Sequence, residues 1–213
     1  MDEADELKDR FAGALIGLAV GDALGTTLEF STRGSFEPIN DMVGGGPFDL
    51  EAGQWTDDTS MALCLAESLV EDGFDPDSQM GKYIKWYMYG YLGSTGECFD
   101  IGNNTAKSLN HYRGTGEFPE EYEYAAGNGS LMRLAPVPMF FSNDYAKAVF
   151  YSGKSSLTTH NNRLAIDACR CFGGMIQQAI TGRSKDAILN VDTVDLDLSE
   201  KVAEIVSGSY LNK

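Results

Sequence analysis

Apolar residues recur with a helical period over the first part of the chain. One stripe with this spacing contains Leu7, Phe11, Ala14, Leu15 and Leu18. A second stripe consists of glycines four residues apart, at Gly13, Gly17 and Gly21. Side chains with these spacings share one face of an α-helix. We therefore predict a helix from about residue 5 to residue 20, with a close-packing glycine face.

The helical period returns in later segments. It is found at residues 80–87, 105–109 and 164–179, and weakly at residues 198–205. Strand-like alternation of apolar and polar residues is scarce. The pattern predicts an all-α bundle with two long, glycine-rich connections, at residues 26–54 and 90–102. Long loops inside a compact domain usually carry function.

Composition narrows the class of protein. With 213 residues and 43% hydrophobic content, we predict a single domain over residues 1–213. A formal net charge of −16 opposes non-specific binding to nucleic acid or to an anionic membrane. The acidic N-terminus is unlike a signal peptide, and we expect no apolar run long enough to span a bilayer. Four cysteines without zinc-ligand spacing favour reduced thiols. We expect a cytoplasmic protein.

Possible metal-binding residues lie just before a strongly apolar segment. Residues 61–70 are apolar almost all round, which is typical of a helix in the middle of a bundle. Thr56, Asp57 and Asp58 would lie at its N-terminus. Their oxygens are hard ligands that suit Mg²⁺ or Mn²⁺. The same residues are equally ordinary as an N-cap and first turn, and the segment alone leaves both interpretations open.

Four blocks in order carry a resemblance to a known family. They are GALIGLAVGDALG at residues 13–25 followed by Glu29, GQWTDDTSMA at 53–62, FDIGNNT at 99–105 and GNGSLMRLAP at 127–136. A weaker fifth block is LTTH at 157–160. Together they resemble the ADP-ribosylglycohydrolase family, of the dinitrogenase reductase-activating glycohydrolase type. The resemblance implies a compact orthogonal helical bundle.

The resemblance implies a magnesium-dependent hydrolase. Its substrate would be the N- or O-glycosidic bond that joins ADP-ribose to a protein side chain or a small molecule. Thr56, Asp57 and Asp58 match ligands of two Mg²⁺ ions. Glu29 and Asp100 match carboxylates near the reacting carbon, where positive charge develops as the bond breaks. The alternative role for Asp100 is an N-cap of the helix that contains Thr105.

Further positions match substrate contacts of the family. They are Gly102, Asn128, Gly129, Ser130, Met132 and His160. The turn at residues 127–130 would offer backbone N–H groups to a diphosphate or ribose. Alone, His160 is more typical of a packing residue. Four aromatic residues could either stack on the adenine ring or belong to the core: Tyr87, Tyr89, Tyr91 and Phe99. His111 matches no motif.

The chain departs from the family near its C-terminus. Family members carry an Asp-x-Asp-Thr block there, and residues 192–197 do not match it, so we interpret them as a solvated turn and helix start. We therefore expect a C-terminally short bundle with a doubtful second metal site, and a partner segment or self-association covering exposed apolar surface. The alternatives to an active hydrolase are a weak or inactive ADP-ribose-binding relative, a fragment, or an inert helical bundle.

Overall fold

The structure is a computed structural model and describes residues 3–189 and 196–209. Within those ranges the regular elements are helical, and an isolated antiparallel bridge joins Gly45 to Leu50. The all-α prediction is confirmed. The helices are α1 (Glu3–Gly25), α2 (Asp57–Asp72), α3 (Pro76–Tyr89), α4 (Asn103–Thr115), α5 (Pro136–Phe140), α6 (Tyr145–Ser156), α7 (Arg163–Ile180), α8 (Lys185–Leu189) and α9 (Glu200–Val206). Two 3₁₀ turns, Thr26–Leu28 and Gly46–Phe48, lie in the long first connection.

Helix α1 is longer and more exposed than its pattern indicates. The prediction of a close-packing glycine face is wrong for the described residues, because a Cβ atom on Gly13, Gly17 or Gly21 would meet nothing within 4 Å. Within Asp5–Leu28, an 18-residue window has a mean hydropathy of 1.5, so by length and composition alone this helix could cross a membrane. The expectation that no such stretch exists is therefore also wrong.

Helix α2 lies at the centre of the bundle, as its apolar character predicts. It contacts α1, α3 and α5. The core cluster around it includes Met61, Leu65, Tyr83, Trp86 and Leu134, each at most 1% exposed. Val70 departs from the prediction, since it is 81% exposed near the C-terminal end of α2. The position of α2 fixes where its N-terminal residues meet the surface.

A buried lysine joins α2 to α3. Lys82 Nζ lies 2.7 Å from a carboxylate oxygen of Glu67 and 2.6 Å from one of Glu71. The Tyr91 hydroxyl donates to Glu67 at 2.7 Å. These bonds hold the beginning of the 90–102 connection against α2, so they help to fix the loop that leads to Asp100.

The sequence pattern did not indicate α5, α6 or α8. Helix α6 nevertheless forms the most extensive helix pair of the described chain, with α7. The two helices approach closely at Gly173, where a Cβ atom would lie 2.0 Å from the Ser152 hydroxyl oxygen. Polar faces and short lengths hide such elements from a hydrophobic-period analysis.

The C-terminal helix is tied to α7 by a buried carboxylate. Asp167 is fully buried and receives hydrogen bonds from Arg163, Arg170 and the Ser199 backbone N–H. The predicted weak helix at residues 198–205 is present as α9. Of the acidic segment 192–197, residues 192–195 lie outside the described residues. Asp197 is solvated, with its side chain 93% exposed beside Arg163.

Candidate active site

An acidic cavity of about 590 Å³ opens between the N-terminus of α2 and the loops that flank α4. Its volume is in the range of small-molecule sites. The lining residues are Glu29, Phe30, Asp57, Asp58, Asp100, Ile101, Gly102, Asn103, Asn104, Thr105, Gly127, Asn128, Gly129, Met132 and His160. Four of them are carboxylates, and none is Lys or Arg. The cavity therefore brings together residues from five separated parts of the sequence.

Thr56 occupies the N-cap position of α2, but its side chain does not cap the helix. Its hydroxyl instead donates to Asp22 at 2.9 Å. Asp22 also accepts hydrogen bonds from the Thr59 hydroxyl at 2.7 Å and from the backbone N–H groups of Thr56 and Thr59 at 3.0 Å each. A carboxylate from α1 thus replaces the missing cap and holds the first turn of α2 in place.

Asp22 was absent from the sequence-predicted site residues. The signal for it was present, since Asp22 lies in the first family block, in the sequence GDALG. An Asp at the end of an apolar helix, facing no predicted partner, carries no local indication of its role. Only the packing of α1 against α2 shows that it serves the Thr56 segment.

The carboxyl groups of Asp57 and Asp58 project from this turn into the cavity. Burial, followed by the charges of Asp58, Asp100 and Asp22, raises the pKa of Asp57 to about 9. Burial and the charge of Asp22 raise the pKa of Asp58 to about 6. The N-terminus of a helix favours negative charge, yet here the crowding of like charges prevails. Among the described residues, no Lys or Arg lines the cavity to compensate these charges.

Glu29 and Asp100 meet on the other side of the cavity. Burial and the adjacent Glu29 carboxylate raise the pKa of Asp100 to about 7. Asp100 has a φ of 55°, and Phe30, next to Glu29, has a φ of 59°. Left-handed backbone is costly for such residues and clusters at functional sites. The N-cap of α4 is Gly102, so the alternative N-cap role for Asp100 is wrong.

The far wall of the cavity combines the 127–129 turn with His160. Asn128, Gly129, Met132, Gly102 and His160 all line it. Ser130 does not, because its hydroxyl lies 2.8 Å from the Ser156 hydroxyl in the protein interior. His160 is 3% exposed. Burial and the charge of Arg133 lower its pKa to about 3, so the ring is neutral at physiological pH.

The four aromatic residues considered for adenine stacking do not line the cavity. Tyr87 and Tyr91 pack against the core cluster, in agreement with the core alternative. Tyr89 is 76% exposed. Phe99 contacts Phe48 with ring centroids 5.4 Å apart. Phe48 in turn contacts Phe30, at 6.3 Å, and Phe30 is the aromatic residue that reaches the cavity. No sequence signal singled it out.

The donor chemistry of the site suits Mg²⁺ only in part. Carboxylate and hydroxyl oxygens are the ligands that Mg²⁺ prefers, and the crowded carboxyl groups would be relieved by a divalent cation. Because the Thr56 hydroxyl hydrogen is directed to Asp22, an oxygen lone pair remains for a metal. Among residues 3–189 and 196–209, however, no group of three His, Cys, Asp or Glu side chains is arranged to hold a metal ion. The candidate protein ligands in this part of the chain are therefore two carboxylates and one hydroxyl, and Mg²⁺ usually keeps several waters beside such ligands.

Comparisons with known proteins identify relatives of this chain. Residues 3–209 match the family model for ADP-ribosylglycohydrolase. ADP-ribosylarginine hydrolase Tri1 of Pseudomonas putida is 44% identical over 87% of this chain and 50% of its own length. ADP-ribosyl-[dinitrogen reductase] glycohydrolase of Rhodospirillum rubrum is 35% identical over 84% of this chain and 60% of its own.

A solved chain described as an ADP-ribosylglycohydrolase-related protein complex superposes with a TM-score of 0.86. It is 39% identical, and the match covers 97% of this chain and 69% of that one. The present chain spans about half to three fifths of the length of the two curated relatives. The matches cover nearly all of its described residues and include every element around the cavity. The chain therefore belongs to the ADP-ribosylglycohydrolase family.

Proposed function

We propose that this chain hydrolyses the glycosidic bond between ADP-ribose and an arginine side chain of a modified protein, with Mg²⁺ as the metal. The observation that carries the proposal is the cavity itself, where Glu29, Asp57, Asp58 and Asp100 converge without a lining Lys or Arg. An arginine acceptor is cationic, so such a cavity attracts it. The name of the Pseudomonas putida relative supports the same linkage.

Asp100 and Glu29 are the groups suited to proton transfer. A pKa of Asp100 raised to about 7 lets the carboxyl group exchange a proton near neutral pH, where a general acid or base is most effective. In the proposed reaction, water adds to the anomeric carbon as the C–N bond breaks. The electron pair of the C–N bond stays on the guanidine nitrogen. Asp100 accepts a proton from the water and then gives it to the leaving guanidine. The neighbouring Glu29 carboxylate contributes to the raised pKa of Asp100.

Thr56, Asp57 and Asp58 are the residues that would hold Mg²⁺. When bound, the metal would supply a template for the ribose hydroxyls and would offset negative charge in the cavity. Asp22 would keep the Thr56 hydroxyl and the first turn of α2 in place for that purpose. His160 and the turn at residues 127–129 would contact the rest of the nucleotide, and Phe30 would line the entrance.

The proposal is tested by release of ADP-ribose from an arginine-modified protein. We expect Asp100→Asn to lower the rate by about 10²-fold or more, the usual contribution of a general acid or base. The control is Asp41→Asn, the same change at an exposed position outside the cavity lining, which should retain the wild-type rate. A serine-modified substrate in parallel tests the linkage. Equal rates for the wild type and Asp100→Asn would contradict the proposal.

One observation favours a second candidate, an ADP-ribose-binding protein without turnover. Within the part of the chain that the structure describes, no group of three His, Cys, Asp or Glu side chains is arranged to hold a metal ion. Binding of ADP-ribose together with no release from either substrate at any Mg²⁺ concentration would favour this function over hydrolysis.

A further inference from the structure

A buried arginine lies directly behind the cavity wall. Arg133 is fully buried, and among the described residues no carboxylate pairs with it. Its guanidinium instead lies 4.5 Å from the centre of the Tyr83 ring and donates to the Gly129 carbonyl at 3.1 Å. A charge without a carboxylate is costly to bury unless hydrogen bonds satisfy it. Such a position calls for a role beyond packing.

Nη1 of Arg133 also contacts the Met61 sulfur at 3.9 Å, Nε has no partner among the described residues, and the other terminal nitrogen is directed at two threonine hydroxyls. Nη2 donates to Thr158 Oγ1 at 3.0 Å and to Thr159 Oγ1 at 2.8 Å. Thr158 uses its own hydroxyl hydrogen to donate to the Ser155 carbonyl at 2.9 Å. Thr159 Oγ1 lies 2.9 Å from His160 Nδ1. A continuous chain of hydrogen bonds therefore connects Arg133 to His160.

The direction of this chain follows from the chemistry of its members. A guanidinium only donates, so Thr159 Oγ1 accepts from Arg133 and still has its own hydrogen to donate. Thr159 is 1% exposed, and among the described residues His160 Nδ1 is the acceptor within reach. If Nδ1 carried a proton, the Thr159 hydrogen would be buried without a partner, which costs free energy. Nδ1 is therefore the acceptor, and Nε2 carries the proton.

The protonated edge of the ring faces the cavity wall. A Cβ atom on Gly127 would lie 3.3 Å from His160 Nε2, and one on Gly129 would lie 3.1 Å from it and 2.7 Å from Cε1. The two glycines thus leave room for the ring edge at a turn that lines the cavity. The described residues give Nε2 no hydrogen-bond partner, so its N–H is left for a ligand.

We propose that Arg133 and Thr159 are positioning residues that hold neutral His160 as its Nε2–H tautomer, so that Nε2 donates a hydrogen bond to an oxygen of the bound nucleotide. The tautomer is a property of the free protein. The ligand contact rests on the proposed function, because it takes ADP-ribose as the nucleotide. The low pKa of His160 agrees with a neutral ring.

The tautomer is read directly from histidine ¹⁵N chemical shifts in a long-range ¹H–¹⁵N spectrum at neutral pH. The chain has two histidines, and His111→Asn removes the signals of the other one. We expect His160 to show a protonated Nε2 and an unprotonated Nδ1. Thr159→Val should mix the two tautomers, and Thr159→Ser, which keeps the hydroxyl, should restore the single form. An Nδ1–H tautomer, an imidazolium, or an unchanged tautomer in Thr159→Val would overturn the proposal.

The ligand contact is tested by calorimetric titration with ADP-ribose. We expect Thr159→Val to weaken binding about two- to fivefold, as the Nε2–H form falls to between about a half and a fifth of the population, and Thr159→Ser to bind as tightly as the wild type. Equal affinity of the wild type and Thr159→Val would overturn the donor role of Nε2. An Nε2–H tautomer in a protein that does not bind ADP-ribose would support the positioning by Arg133 and Thr159, and would count against the ligand contact and the proposed function together.

Discussion

At the scale of single residues, the site depends on a carboxylate that does not line it. Asp22 receives hydrogen bonds from two backbone N–H groups and two hydroxyls at the first turn of α2. It therefore fixes the segment from which Asp57 and Asp58 project. A charged acceptor suits this position, since hydrogen bonds to charged groups are stronger than neutral ones.

We expect Asp22→Asn to lower the free energy of unfolding by about 1–3 kcal/mol, because an amide NH₂ would face donors that it cannot accept from. The stabilisation that added Mg²⁺ gives should also decrease. Chemical denaturation with and without Mg²⁺ measures both effects. Asp9→Asn makes the same change at an exposed position of α1, and we expect it to shift stability by less than about 0.5 kcal/mol. Similar losses in the two variants would contradict the role of Asp22.

At the scale of elements, the loop that delivers Asp100 depends on one close backbone approach. Gly90 ends α3 in the left-handed region, with a φ of 63°. A Cβ atom there would lie 2.0 Å from the Gly96 carbonyl oxygen. Gly96 also has a positive φ, 76°, but a Cβ atom on it would meet nothing within 4 Å. The two positions therefore separate the cost of a clash from the cost of backbone strain.

We expect Gly96→Ala to destabilise the fold by about 1–2 kcal/mol, the cost of a left-handed residue. Gly90→Ala should cost clearly more, because the backbone of the loop must also move, and it should slow ADP-ribose release by displacing Asp100. Urea denaturation of the two variants gives the comparison. If Gly90→Ala were no less stable than Gly96→Ala, the tight packing of this loop would be contradicted.

Elements with a strong hydrophobic period could be predicted from sequence, and those without one could not. The period located α1 and α7, but it indicated neither the short α5 nor the small-residue contact that pairs α6 with α7. The glycine stripe of α1 was misinterpreted because spacing shows which residues share a face and does not show what covers that face. The family blocks contain most of the residues that line the cavity, so these residues could be predicted from the resemblance. Asp22 and Phe30 needed the tertiary contacts between α1, α2 and the first connection.

At the scale of the whole molecule, negative charge is in excess over the chain and is also concentrated in one cavity. The chain has a formal net charge of −16. Four carboxylates line one cavity. Burial and the crowding of like charges raise the pKa of Asp58, Asp100 and Asp57 to about 6, 7 and 9. The metal-free fold therefore carries an electrostatic cost at neutral pH, which a bound cation would offset.

The pH dependence of stability follows from the sign of these shifts. A carboxyl group whose pKa is raised on folding contributes stability in full below its ordinary pKa of about 4. That contribution is lost as the pH rises through the raised values, because the native state then holds protons that the unfolded state has released. His160, whose pKa is lowered to about 3, contributes the opposite slope below its ordinary pKa of about 6.5. In the presence of chelator, we therefore expect thermal stability to fall between about pH 7 and pH 9.

Asp57→Asn isolates the largest of these contributions, since it removes the group with the highest pKa. Its stability should fall less steeply with pH than that of the wild type, and the two curves should differ most near pH 9. Added Mg²⁺ should stabilise the wild type more at pH 8 than at pH 5. If stability depended on pH in the same way in both proteins, the raised pKa of Asp57 would not contribute to the stability of the fold.

The central claim is that the acidic cavity is a metal-dependent hydrolytic site. Its most direct test is release of ADP-ribose from an arginine-modified protein by the wild type with Mg²⁺, by the wild type with chelator, and by Asp57→Ala with Mg²⁺. We predict release in the first case only, with Asp57→Ala remaining folded. Equal release with chelator, or by Asp57→Ala, would contradict the claim.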